Sequence, residues 1–224
     1  MKKLSILLLL LCAMPTHAGK NVWKYLHELT AITESLQNQI NEIRGNKHNI
    51  GDLYHGGIIF WLDPTGLHGL IVSKAEINKG EGIQWRNGAS GNRVTNARGD
   101  GIGAGEGNTR LIIAQQTNDS QPGTFAALLA NNYKVLEDGQ TPCPIPVPIT
   151  VTCYGGWYLP SAHELALVHN NLGQQGISTF APEYYWSSTE ANGTKAWMQN
   201  FGTGEQISSE KANTLGQVRA ISRF

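Results

Sequence analysis

The sequence predicts an α+β domain with a mixed or antiparallel sheet and short helices, preceded by a helical segment. Three observations lead there. Strand-like runs open and close the main part of the chain, with two or three short helical segments and long loops between them. Glycine is frequent, with 26 in 224 residues, above its usual ~7%. Charged residues make up only 15%, against roughly 25% in an ordinary soluble domain. This composition suits a loop-rich, half-buried fold and argues against a long helical protein or a charged disordered tail. No repeat of roughly 20–50 residues appears, so solenoids and propellers are not expected.

Residues 1–18 read as a secretory signal peptide: Lys2 and Lys3, the apolar run Leu4–Met14, then Pro15 to Ala18 with the cut after Ala18. The run is shorter than the ~20 residues that cross a bilayer. Leu11 before Cys12 is not the small residue a lipidation signal needs. No later stretch reads as a membrane span, so a secreted or cell-surface location is expected. With the leader gone, the 17 basic residues fall to 15 against 17 acidic ones, a net charge of about −2. Bulk attraction to nucleic acid is therefore not expected.

Residues 19–45 carry a heptad pattern. Val22, Leu29, Leu36 and Ile43 are seven apart, with Tyr25, Ile32 and Gln39 between them, and Gly45 is a C-terminal stop. Two readings fit: a coiled-coil neck that oligomerises the chain, or an amphipathic helix folded back on its own domain. Three heptads are marginal alone, so an oligomer needs help from the domain that follows.

Residues 46–224 read as one domain, continuous from Gly51. Gly57–Leu62 is an apolar strand, Asp63-Pro-Thr-Gly66 a turn, and Leu67–Val72 the returning hairpin partner. A polar, glycine-rich stretch runs from Lys74 to Gly107. Asn108 or Thr109 caps a short helix with Leu111, Ile112 and Ile113. A second follows Pro122-Gly123, with Phe125, Leu128 and Leu129 as its apolar face. Ser161 and Glu164 have the spacing of a capping box, opening a helix to about Leu172. Tyr184–Glu190 and Thr194–Phe201 are strands joined at Asn192-Gly193, a pair suited to a hairpin with positive φ. Gln217–Phe224 is the last strand.

Candidate chemistry is mostly excluded. Gly99–Gly107 lacks the Gly-Lys-Ser/Thr ending of a phosphate loop and reads as a flexible surface loop. Asp100 and Glu106 do not have EF-hand spacing. His163 and His169 are six apart on a helix, so they do not share a metal-binding face. No Gly-x-Ser-x-Gly occurs. No catalytic residue, metal site or cofactor is expected. In the exported chain Cys143 and Cys153 form an even count, and one disulfide is the default. A metal site or a reactive thiol pair are the alternatives. Trp157, Trp186 and Trp197 read as core. Trp85, in a polar loop beside Arg86, reads as exposed. Arg219 and Arg223, four apart on the last strand, point to one face. The basic residues are either a solvated mixed surface or an arginine-lined groove for sulfate or carboxylate groups.

Gly155-Gly-Trp-Tyr-Leu-Pro-Ser161, Glu164-Leu165, Tyr185-Trp-Ser-Ser-Thr-Glu190, Ala196-Trp197, Asn200-Phe201 and Val218-Arg219 together resemble a bacterial secreted domain family of largely unknown function. Its fold is similar to the C-type lectin and formylglycine-generating-enzyme group. Within it, Gly51–Phe224 closely resembles the C-terminal domain of a bacterial collagen-like adhesin. The resemblance implies a homotrimeric surface or secreted protein that binds sulfated glycosaminoglycans and promotes attachment and biofilm. The collagen repeats of that adhesin are missing here. The enzyme branch uses redox cysteines near its active site, and Cys143 and Cys153 do not match that arrangement. On this reading Arg86, Arg93, Arg98, Lys195, Arg219 and Arg223 are the anion contacts, with Trp85 beside them. The alternatives are a protein-interaction module for a host receptor or surface assembly and, less favoured, a formylglycine-generating-type enzyme.

Overall fold

The computed structural model describes residues 16–45, 47–118, 122–177 and 180–224. Residues 1–15 of the expected leader lie outside the described residues, and Thr16–Ala18 already belong to the first helix. The chain divides into two units, one up to Lys47 and one from His48 to Phe224.

The first unit contains helix α1, Thr16–Gly45. Its i, i+3, i+4 pattern places Tyr25, Leu29, Ile32 and Leu36 on one stripe. All four are exposed in the single chain, as are Gln39 and Ile40, while Val22 is half-buried. The side chain of Ile43 lies outside the described ones. No helix among the described residues is long and apolar enough to cross a membrane.

The second unit is a mixed α+β domain with two antiparallel sheets and a few short helices. The first sheet has the order β1-β2-β3-β7, with β1 Leu53–Tyr54, β2 Gly57–Leu62, β3 Gly69–Ser73 and β7 Ile221–Arg223. The turn between β2 and β3 closes on the Asp63 carboxylate. It accepts hydrogen bonds from the Thr65 N–H at 3.1 Å, the Thr65 hydroxyl at 2.6 Å and the Gly66 N–H at 2.9 Å. Alternation along the strands sends Ile59 and Ile71 into a cluster with Trp85, Trp157 and Trp186. Phe60, Leu70 and Val72 face the other way, against Tyr158, Leu165 and Val168. Burial on both faces is why β2 and β3 read as unbroken apolar runs.

The second sheet is β4-β5-β6, with β4 Tyr184–Glu190, β5 Lys195–Asn200 and β6 Gln206–Glu210. Neither Asn192 nor Gly193 adopts the positive φ expected of their pair. Instead the Asn192 side-chain oxygen accepts from the N–H groups of Thr194 and Lys195, both at 2.9 Å. The side chain closes this turn in place of a left-handed backbone. Trp157 and Trp186 are core residues as expected, but Trp197 is 37% exposed.

Three helices pack on the sheets: α2 Ala104–Gln116, α3 Ala126–Asn132 and α4 Ala162–Val168. Helix α2 begins earlier than Asn108 suggests. Asn108 is buried inside it and grips Gly99, donating to its carbonyl at 2.7 Å and accepting from its N–H at 3.0 Å. In α3 the buried face is Ala126, Ala127 and Ala130, with Leu128 and Leu129 only partly covered. The capping box of Ser161 and Glu164 opens α4 as predicted. Glu164 does more: its carboxylate also accepts from the Gly103 N–H at 2.7 Å and the Gly105 N–H at 3.2 Å. A Cβ at Gly105 would lie 2.4 Å from that carboxylate and 2.7 Å from the Leu159 carbonyl oxygen. The glycine-rich stretch is thus docked on the start of α4, and the flexible-loop expectation is corrected there.

The last strand is shorter than Gln217–Phe224. Gln217 makes a single parallel bridge to Tyr185, and only Ile221–Arg223 pairs with β3. This closing segment therefore stitches the second sheet to the first. Cys143 and Cys153 form a disulfide with a Cα separation of 5.8 Å.

Candidate functional site

The Trp85-Arg86 dipeptide is set by a charge buried beneath it. The Lys211 side chain is fully buried. Its ammonium donates to Glu190 Oε1 at 2.6 Å, the Arg93 carbonyl at 2.8 Å and the Gly193 carbonyl at 3.1 Å. All three donors are used, and the ammonium also lies 4.6 Å from the centre of the Trp85 ring. Glu190 further accepts from the Thr95 N–H at 2.8 Å and the Asn96 N–H at 3.1 Å. Burial pushes the Glu190 carboxyl up. The hydrogen bonds from Lys211 and Thr95 outweigh that and hold it below its ordinary value. The Lys211 carbonyl accepts from the N–H groups of Trp85 and Arg86, at 3.0 and 3.3 Å.

Trp85 is consequently a core residue, and its expected exposure is corrected. It is 0% exposed, and its indole N–H donates to the Ser187 carbonyl at 2.9 Å. Arg86, the next residue, turns outward into a cleft of about 370 Å³. Gln84, Asn87, Thr124 and Thr214 line this cleft with it, and none of the described lining residues is acidic. The walls are pinned: Ile83 N–H donates to the Gly216 carbonyl, Ala126 N–H to the Gln84 carbonyl, and Asn87 is clasped by Gln116. Arg86 donates from Nη1 to the Ala89 carbonyl at 3.2 Å, while its Nε is buried with no hydrogen-bond partner. Among the described residues no carboxylate lies within salt-bridge distance of Arg86. A guanidinium lining a cleft with no described carboxylate beside it is suited to hold an anionic group.

The other basic residues are placed differently. Arg93 donates to the carbonyls of Gln115 and Ser90. Arg98 is exposed, 3.9 Å from Glu190, and Lys195 lies 3.7 Å from Glu210 on the neighbouring strand. Arg219 is only 4% exposed and is not a surface contact. It donates to the carbonyls of Ser73 and Lys74, sits 3.5 Å from Glu76 and covers the Phe180 ring. The irregular backbone before β7 removes the two-residue alternation that would have aligned it with Arg223. Arg223 is exposed and lines a second, smaller cleft of about 220 Å³ with Trp61, His68 and Ile102. It donates to the Gly103 carbonyl and lies 3.5 Å from Glu106, which also pairs with Arg110. The six basic residues therefore do not converge on one groove.

Lys211 and Glu190 organise this region, and sequence reasoning did not single out Lys211. It sits in a polar Ser-Ser-Glu-Lys-Ala-Asn run that reads as surface, and only long-range closure buries it. Among the described residues no group of three or more His, Cys, Asp or Glu side chains is arranged to hold a metal ion. No family model matches the chain, and no curated protein matches it.

Proposed function

We propose that the chain is a secreted or surface adhesin-like protein that binds sulfated glycosaminoglycans or related anionic polysaccharides without catalysing a reaction on them. In this reading the domain has a C-type-lectin-like fold, and α1 is the coiled-coil neck of a homotrimer. The observation that carries the binding reading is Arg86, half-buried in a cleft whose described lining residues include no carboxylate. Support for the fold comes from the ordered Leu159-Pro-Ser161, Trp186-Ser-Ser-Thr-Glu190 and Val218-Arg219 motifs, which supply core, cap and closing segment. Support for the neck comes from the exposed heptad stripe of Tyr25, Leu29, Ile32 and Leu36. Three copies would place three weak sites together, and avidity supplies what one site lacks.

Heparin retention tests it. The wild-type chain is expected to bind at ~50 mM salt and to be released as salt rises. A hydrogen bond to a charged group contributes about 1.5–3 kcal/mol, so Arg86→Ala should weaken binding about tenfold or more. Arg219→Lys should leave it unchanged. Equal retention on a neutral polysaccharide, or an Arg86→Ala chain that binds heparin as well as wild type, overturns the reading.

A further inference from the structure

Between Cys143 and Cys153 the chain shows aliphatic side chains to water. Ile145 is 98% exposed and Ile149 103%, and Val147 is 45% exposed between them. The loop is closed by the disulfide at its base. Its ends are held by the Cys143 N–H on the Lys134 carbonyl and the Val151 N–H on the Pro148 carbonyl. Pro144, Pro146 and Pro148 fix φ and carry no N–H. Such a segment loses little conformational freedom on contact and has few backbone donors to strip of water. Solvated aliphatics on a pre-ordered tip mark a contact surface.

Charge decides what covers it. Gly139 to His163, the longest stretch of the chain free of Asp, Glu, Lys and Arg, contains the loop. Where identical copies meet close to a symmetry axis, each residue lies near its own counterpart, so any charge there repels itself. Lys134 lines the cleft beside Ile145 and Val147, but the tip itself carries no charge and is a surface that can face its own copy. The neck also leaves a need for such a surface. Three heptads with Gln39 at a core position are marginal, and an oligomer requires apolar burial from elsewhere in the chain.

We infer that the Cys143–Cys153 loop is a self-association surface, packing Ile145, Val147 and Ile149 against the same loop of neighbouring copies. This rests on the oligomeric reading above and adds to it the contact that the neck lacks.

Sedimentation of the full chain over a range of concentrations tests the inference. Burying one such side chain is worth about tenfold or more in an equilibrium. The triple change Ile145→Ser, Val147→Ser and Ile149→Ser should raise the half-dissociation concentration about a hundredfold or more, with the circular dichroism spectrum unchanged. Ile149→Glu and Ile149→Lys chains should each dissociate at low salt and re-associate when mixed. That mixing arm also decides the matter should the serine variant fail to fold. A wild type that is monomeric throughout removes the oligomeric reading and the loop contact together. An oligomeric wild type with an equally oligomeric serine variant, or Glu and Lys chains that do not rescue each other, removes the loop contact alone. Flotation of wild type but not the serine variant on phosphatidylcholine vesicles, with association unchanged, assigns the loop to lipid and overturns the inference. So does serine-sensitive binding to a different protein at unchanged association.

Discussion

Glu190 and Lys211 are charged and sealed inside the domain, while Ile145 and Ile149 are aliphatic and stand in water. Polarity alone predicts the reverse for both pairs. The difference lies in how each region closes. The ion pair has every ammonium donor matched, to Glu190 and two carbonyls, with the Trp85 ring beside it, so low exposure does not leave a charge uncompensated. The loop is held by a covalent bridge and three prolines, so it keeps its shape without a core of its own. One region is ordered by contacts distant in sequence, the other by constraints within eleven residues. Substitutions in the two should therefore differ in size and in kind.

The largest effect is expected at the ion pair. Glu190→Ala leaves the buried Lys211 ammonium without its counter-charge and one of its three acceptors, and leaves the N–H groups of Thr95 and Asn96 without their acceptor. Breaking a buried pair by removing one partner costs about 3–5 kcal/mol. For a chain of this length that lowers the thermal midpoint by roughly 10 °C. The same carboxylate sets an acid limit. Its folded value lies below the ordinary 4.5, so the unfolded chain binds the proton first as pH falls. The stability it contributes is fully present above about pH 5 and is lost as pH drops through the folded value. In Glu190→Ala that part of the acid dependence should disappear. A Glu190→Ala chain with the wild-type midpoint, or with unchanged acid dependence, would mean that the pair is not the centre of this region.

The contrast also explains what could be read in advance. The β2 turn, the Ser161–Glu164 capping box and the Cys143–Cys153 bridge are local in sequence. Their signals are complete within a few residues: Asp63 two and three before its partners, Ser161 three before Glu164, and two cysteines astride a proline run. Trp85, Arg219 and Lys211 have partners 102, 146 and 118 residues away, at Ser187, Ser73 and Arg93. No neighbour announces those partners, so polar surroundings suggest exposure for Trp85, and the four-residue spacing from Arg223 suggests that Arg219 is available. The docking of Gly103 and Gly105 is hidden for the same reason, since the carboxylate that holds them is on α4. Arg86 is legible as a basic residue, but the cleft around it depends on Thr124 and Thr214, which only folding brings near.

An intermediate effect is expected from the bridge. Closing a flexible loop of this length is worth about 3 kcal/mol in the chain-entropy account. Three prolines already restrict the segment in the unfolded chain, so there is less freedom for the bridge to remove. Changing both cysteines to serine should therefore cost about 1–2 kcal/mol, read by denaturant unfolding at fixed protein concentration. A loss as large as that of Glu190→Ala would show that the loop depends on the bridge for its fold. It would weaken the contrast between a locally held region and one held at long range.

The smallest effect sharpens the comparison most. Ile149 makes no contribution to the core of its own chain, and surface substitutions away from special features change stability by less than about 0.5 kcal/mol. Ile149→Ser should thus leave the urea midpoint of the dissociated chain, measured at high dilution, where it was. Core aliphatics behave otherwise: Ile71→Ala, under the same conditions, removes buried atoms between Ile59 and the tryptophans and should cost about 2–5 kcal/mol. If Ile149→Ser lowered the dilute-chain midpoint by a comparable amount, the side chain would be packing against its own domain and the loop would belong to the fold. If it leaves that midpoint alone while weakening association, an isoleucine has been kept in water for a contact outside its own chain.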